Sequence, residues 1–157
     1  MFDFDKLIKS EKYQVFLLIC PANLPFSFAI HPWFVINRKG IVSRWEVSFE
    51  ARKRELSWGH LNKNLFPPFQ GIEVFPFSEK YFWTGKVSSS IEGEGGSLAA
   101  KMAEFIERSD ENYPCKLEYS LTGPNSNTYV QWVLNKFPQS KMRLPWNAFG
   151  KSSASKV

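Results

Sequence analysis

The sequence predicts an α+β fold, with an antiparallel sheet packed against helices. Three observations lead there. Apolar runs at Tyr13 to Cys20, Phe26 to Ile36 and Ile41 to Phe49 follow one another with short turns between them, the pattern of consecutive paired strands. Helical spacing marks Leu98, Met102, Phe105 and Ile106, and again Tyr129, Val130, Val133, Leu134 and Phe137. Aromatic residues make up 17% of the chain, with 15 Phe and 6 Trp, enough apolar surface for a packed body with some left for a groove. The strand pattern alone fits several α+β arrangements.

The elements follow in order. Residues 1–10 are a lead-in with a helical turn. Tyr13 to Cys20 is a strand buried on both faces, since its apolar run is continuous. Pro21 to Pro25 turns the chain into the second strand, Phe26 to Ile36, which Pro32 interrupts. Asn37-Arg38-Lys39-Gly40 is a hairpin turn with Gly40 at positive φ, and Ile41 to Phe49 returns. Glu50 to Gln70 is irregular, carrying Trp58-Gly59-His60 and the breaker Pro67-Pro68. Gly71 to Phe77 is extended, and Glu79 to Ser88 adds another extended piece. Ser89 to Gly96 has the composition of a linker. Ser97 caps a helix ending near Ser109, and Asp110 to Pro114 turns. Lys116 to Leu121 alternates and reads as a strand, before a helix from about Asn127 to Phe137. Leu144 to Gly150 is extended, aromatic and packed on the body. Residues 1–150 form a single domain, and 151–157 are a flexible tail.

Composition excludes several classes. At 157 residues the chain buries about two thirds of its unfolded surface. Its net charge of +5 comes from scattered residues, apart from Arg52-Lys53-Arg54. With no basic stripe and no named motif, nucleic-acid binding is not expected. No apolar run reaches the length of a membrane span. The opening Met-Phe-Asp-Phe-Asp lacks the basic start of a signal peptide, so a soluble cytoplasmic protein is expected. Cys20 and Cys115 lie far apart, and with His31 and His60 they make no metal-ligand spacing, so neither metal nor cofactor is expected.

Chemistry concentrates in two places. The segment Gly123-Pro124-Asn125-Ser126-Asn127-Thr128-Tyr129-Val130 stops a strand and opens a helix. Asn125 or Ser126 caps that helix, and Ser126 becomes a small hydroxyl where free N–H groups and the helix dipole favour negative charge. The second place is the hairpin. If Asn37 to Gly40 form a four-residue loop, Ile36 faces Ile41, and His31 falls opposite Glu46. A carboxylate facing an imidazole fixes its tautomer and stabilises its charged form, in a catalytic site or in a plain sheet pair.

These residues carry a resemblance. The order of an early strand His, a polar partner on the next strand and a late nucleophile opening a helix resembles the permuted papain-like superfamily. That superfamily includes the NlpC-type peptidases and the lecithin retinol acyltransferase group. Its Asn-Cys-x-x-Phe-Val segment is matched by Asn125 to Val130, with Ser126 in the place of Cys. The chain also resembles a bacterial family of unknown function over roughly residues 14 to 151. The shared features are His31-Pro32-Trp33, Trp45-Glu46-Val47, the eight-residue segment with Tyr129 for Phe, and Asn147-Ala-Phe-Gly-Lys151.

The resemblance implies a permuted papain-like (NlpC-type) fold and a Ser-His-Glu hydrolase or acyltransferase acting on an amide or ester. Ser126 would attack the carbonyl, His31 would move the proton and Glu46 would orient His31. Asn125 or Asn127 would add an oxyanion donor to the N–H of Ser126, and Trp33, Trp45 and Trp58 would wall the groove. The other reading is a non-catalytic module on the same fold, binding a peptide, glycan or lipid fragment. A serine hydroxyl, unlike a thiol, needs deprotonation as it attacks, so the two readings divide on whether His31 reaches Ser126.

Overall fold

The computed structural model describes residues 3–49 and 56–157, and the basic triplet Arg52-Lys53-Arg54 lies outside the described residues. Among the described residues eight strands form: β1 (Tyr13–Pro21), β2 (Ile30–Arg38), β3 (Ile41–Val47), β4 (Ser57–Trp58), β5 (Leu61–Lys63), β6 (Gln70–Glu73), β7 (Phe82–Thr84) and β8 (Lys86–Gly93). The α-helices that follow are α1 (Leu98–Glu107), α2 (Ser109–Asn112) and α3 (Ser126–Lys136). The main sheet runs β4-β5-β3-β2-β1-β8 and its pairs are antiparallel, while β6 and β7 form a separate ribbon.

Both faces of the sheet are covered, as the continuous apolar run of β1 predicts. On one face Val15, Leu17, Phe34, Ile36, Trp45 and Val47 pack against α1 and α3 through Met102, Ile106, Tyr129, Val130 and Val133. On the other, Phe16, Leu18, Cys20, Trp33 and Val35 meet Ile72, with Leu7, Phe66, Phe69 and Trp83 around them. The alternation along β2 therefore sorts its side chains cleanly. Ile30, Phe34 and Ile36 point to the helices, and Trp33 and Val35 point away.

Several local expectations change. The β2–β3 hairpin closes on two residues, not four. Arg38 pairs with Ile41, and Lys39 and Gly40 both take positive φ, at 49° and 93°. That is the twist-matched turn of a two-residue hairpin, with Asn37 Oδ1 accepting from the Gly40 N–H at 2.7 Å. Pro32 does not interrupt β2, because it pairs with β1 where the β3 ladder has already ended. The stretch read as a linker, Ser89 to Gly96, continues β8 to Gly93 on the edge of β1. A register shift at Leu17/Leu18 lets Val87 face the ribbon side and Ile91 the helix side. Lys116 to Leu121 is not a strand. It has no ladder to join, and Leu117 and Leu121 stay exposed. The tail is not frayed. Lys151–Lys156 form a 3-10 turn, and Ala154 is buried in the helix-side core.

Candidate functional site

His31 and Glu46 do meet. His31 Nε2 lies 2.7 Å from Glu46 Oε2, and both residues are buried. Continuing the observed register places Trp33 opposite Glu46, so His31 contacts it as a diagonal neighbour. Arg44 completes the cluster from two residues earlier on the same face of β3. Its Nε donates to Glu46 Oε1 at 2.6 Å and its Nη2 to Oε2 at 3.0 Å. Its Nη1 donates to the carbonyls of Pro67 and Gln70. The guanidinium stacks over the Trp33 ring at 4.3 Å and faces Phe66 at 5.3 Å. Burial alone would raise the Glu46 carboxyl, but Arg44 and the His31 hydrogen bond outweigh it and hold it at about 2. Cys20 lies opposite His31 on β1, and burial pushes its thiol up to about 12. Such a thiol is an inert core group.

Ser126 opens α3, one residue after the cap. Asn125 is the cap, its Oδ1 accepting from the N–H groups of Asn127 at 3.0 Å and Thr128 at 3.3 Å. Thr128 Oγ1 accepts from the Asn125 N–H at 3.0 Å, closing a capping box. The same residues clamp distant chain. Asn125 Nδ2 donates to Leu121 O and Phe149 O, both at 3.1 Å. Asn127 Nδ2 donates to Phe149 O at 2.8 Å and to Ile30 O at 3.4 Å, and Thr128 Oγ1 donates to Gly150 O at 2.8 Å. Tyr129 fills the helix-side core and bonds Ser109 Oγ through its hydroxyl. Most of the motif thus has a structural role. Ser126 differs: it is buried, and its hydroxyl makes no hydrogen bond among the described residues.

The two halves of the expected triad face different ways. α3 packs on the face that carries Phe34 and Tyr129. His31, Glu46 and Arg44 alternate onto the face of Trp33, under the 66–72 segment. Side chains on opposite faces of one sheet have the backbone layer between them. His31 is joined to Glu46, and no hydrogen bond joins it to Ser126 among the described residues.

A family model described as "Protein of unknown function (DUF3750)" matches residues 14–153. The chain belongs to the DUF3750 family. No curated protein and no solved structure matches it.

In this DUF3750 protein the three tryptophans do not share a groove. Trp45 and Trp58 stack at 5.9 Å on the helix side, and Trp33 is fully buried on the other, its indole N–H donating to Pro68 O at 2.8 Å. Arg44 is the residue that sequence reading missed. The Arg44-x-Glu46 spacing on a strand carried the signal, since residues two apart share a face. No helix among the described residues is long and apolar enough to cross a membrane. The clamp of the motif on the C-terminal segment also makes a prediction. Gly150 has φ +94°, and a Cβ there would collide with the Asn125 amide. Gly150→Ala is expected to cost at least about 2 kcal/mol, combining left-handed strain with a displaced cap. Urea denaturation checks it, and a change within about 0.5 kcal/mol contradicts the clamp.

Proposed function

We propose that the chain is a non-catalytic binding module, the ligand seated at the start of α3 and on the aromatic side chains around Phe149. One observation supports this reading: α3, which Ser126 opens, packs on the face of the sheet opposite the His31–Glu46 pair, and no hydrogen bond joins His31 to Ser126 among the described residues. A papain-like enzyme needs its nucleophile and base within hydrogen-bond reach. The side-chain oxyanion donors are also engaged, because the amides of Asn125 and Asn127 both donate to backbone carbonyls. Ser126 then serves as a polar contact for a peptide, glycan or lipid fragment. Asn127 Oδ1, in the next residue, is buried and without a partner among the described residues.

A serine-reactive fluorophosphonate and a panel of ester and amide substrates test the reading. The wild type is expected to show neither labelling nor turnover that Ser126→Ala abolishes. Ser126→Ala is expected to change stability by no more than about 0.5 kcal/mol, as a side chain without hydrogen bonds allows. Labelling of Ser126, or turnover lost on its removal, would make the protein a hydrolase or acyltransferase and overturn the proposal.

A further inference from the structure

We infer that the aromatic rim beside the start of α3 docks on an anionic lipid bilayer. The inference rests on the binding-module reading and names its ligand class. Two loops build the rim. Phe26 and Phe28 come from the β1–β2 connection, and Trp146 and Phe149 from the segment held by Asn125 and Asn127. Their rings form one chain, Phe26 to Phe28 to Phe149 to Trp146, with each step 6.2 Å between centroids and near edge-to-face. Asn147 Nδ2 donates to Phe28 O at 3.1 Å and ties the loops together. The rings nonetheless face solvent, Phe28 at 63% exposure and Trp146 at 81%.

Two further observations choose the occupant. The β6–β7 turn adjoins the first loop, through Leu24 N–H to Val74 O at 2.9 Å, and presents Phe77 at 91% exposure and Tyr81 at 60%. Side chains so exposed on turns project outward and define no groove, which suits a fluid apolar layer better than the face of a folded partner. Trp and Tyr favour the headgroup level of a bilayer. The charge is complementary. The chain carries +5 overall. Exposed Lys80 lies between Phe77 and Tyr81, and Lys151 donates to Pro145 O at 3.0 Å, beside Trp146. Glu79 is the carboxylate of the same turn. Cations beside inserted aromatics are drawn to anionic headgroups within a Debye length.

Co-sedimentation of the full chain with phosphatidylcholine vesicles, with and without phosphatidylserine, tests the inference. The wild type is expected to pellet with phosphatidylserine vesicles at low salt and to be released as salt rises. The double variant Phe28→Ser/Trp146→Ser, both sites being exposed, should melt like the wild type and bind about tenfold or more weakly, as loss of two inserted rings requires. Brominated lipid should quench wild-type tryptophan emission, and Trp146→Phe should remove most of that quenching. A wild type that stays in the supernatant with both vesicles overturns the inference, as a protein occupant of the rim would predict. That outcome leaves the non-catalytic reading standing, because the serine probe decides it separately. Undiminished binding of the double variant also overturns the inference.

Discussion

Glu46→Ala is expected to destabilise the fold by about 3–5 kcal/mol, the range for removing one partner of a buried ion pair. The reason is what remains behind. Arg44 and Glu46 have no exposed surface. Without the carboxylate, Arg44 keeps the carbonyls of Pro67 and Gln70 and the ring faces of Trp33 and Phe66, which leaves a full buried charge without a counter-charge. The loss is a large fraction of the stability of an ordinary domain, so Glu46→Gln, which keeps the volume, serves where alanine unfolds the chain. The double variant Arg44→Met/Glu46→Leu should recover part of the loss, since it removes the unpaired charge while His31 and the carbonyls of Pro67 and Gln70 lose their partners. Urea denaturation of the three variants gives the comparison. A Glu46→Ala cost below about 1 kcal/mol would show that water reaches the cluster.

The same cluster sets an acid limb. The Glu46 carboxyl is held at about 2 in the fold, against 4.5 in its ordinary state. A lowered folded value means that the ionised form stabilises the fold. Its contribution is therefore complete above about pH 5 and falls away between about pH 4.5 and 2. The urea midpoint of the wild type should drop over that window, and Glu46→Gln should flatten the drop.

The His31–Glu46 contact was legible because register errors of two residues preserve the face. A four-residue loop and the observed two-residue turn at Lys39-Gly40 differ by two positions in the pairing. Both leave His31 and Glu46 on one side of the sheet, opposed in one case and diagonal in the other. Which side α3 covers was not legible. β1 is apolar at successive positions, so alternation there cannot mark one face as the helix face. The decision belongs to long-range packing of Tyr129, Val130 and Val133 on Phe34 and Ile36, and it sets α3 on the face opposite the His31–Glu46 pair. Composition misled at β8. Ser and Gly read as a linker, yet an edge strand whose half-buried positions include the apolar Val87 and Ile91 can be polar elsewhere. Alternation misled at Lys116 to Leu121, where one backbone bond from His60 to Lys116 forms but no ladder among the described residues. The α3 cap was legible at the level of residue type. The choice of Asn125 over Ser126 follows from its amide, which has donors as well as an acceptor.

That difference makes Asn125→Ala the second large effect, a loss of about 3 kcal/mol. Removing the cap alone costs up to about 2 kcal/mol. The rest comes from the carbonyl of Leu121, which loses its donor at a net cost near 1 kcal/mol, while the carbonyl of Phe149 keeps Asn127. Asn125→Asp separates the two contributions. It keeps the acceptor for the Asn127 and Thr128 N–H groups and places a carboxylate at a helix start, which is favourable. It removes both donors and turns charge toward two carbonyls. Its stability should fall between those of Asn125→Ala and the wild type. A full loss in Asn125→Asp would assign the role of Asn125 to the clamp on residues 121 and 149, and wild-type stability would assign it to the cap. Either way, neighbouring Ser126→Ala should leave the fold unmoved. On that contrast, Asn125 serves folding through its hydrogen bonds, whereas the Ser126 hydroxyl makes none among the described residues.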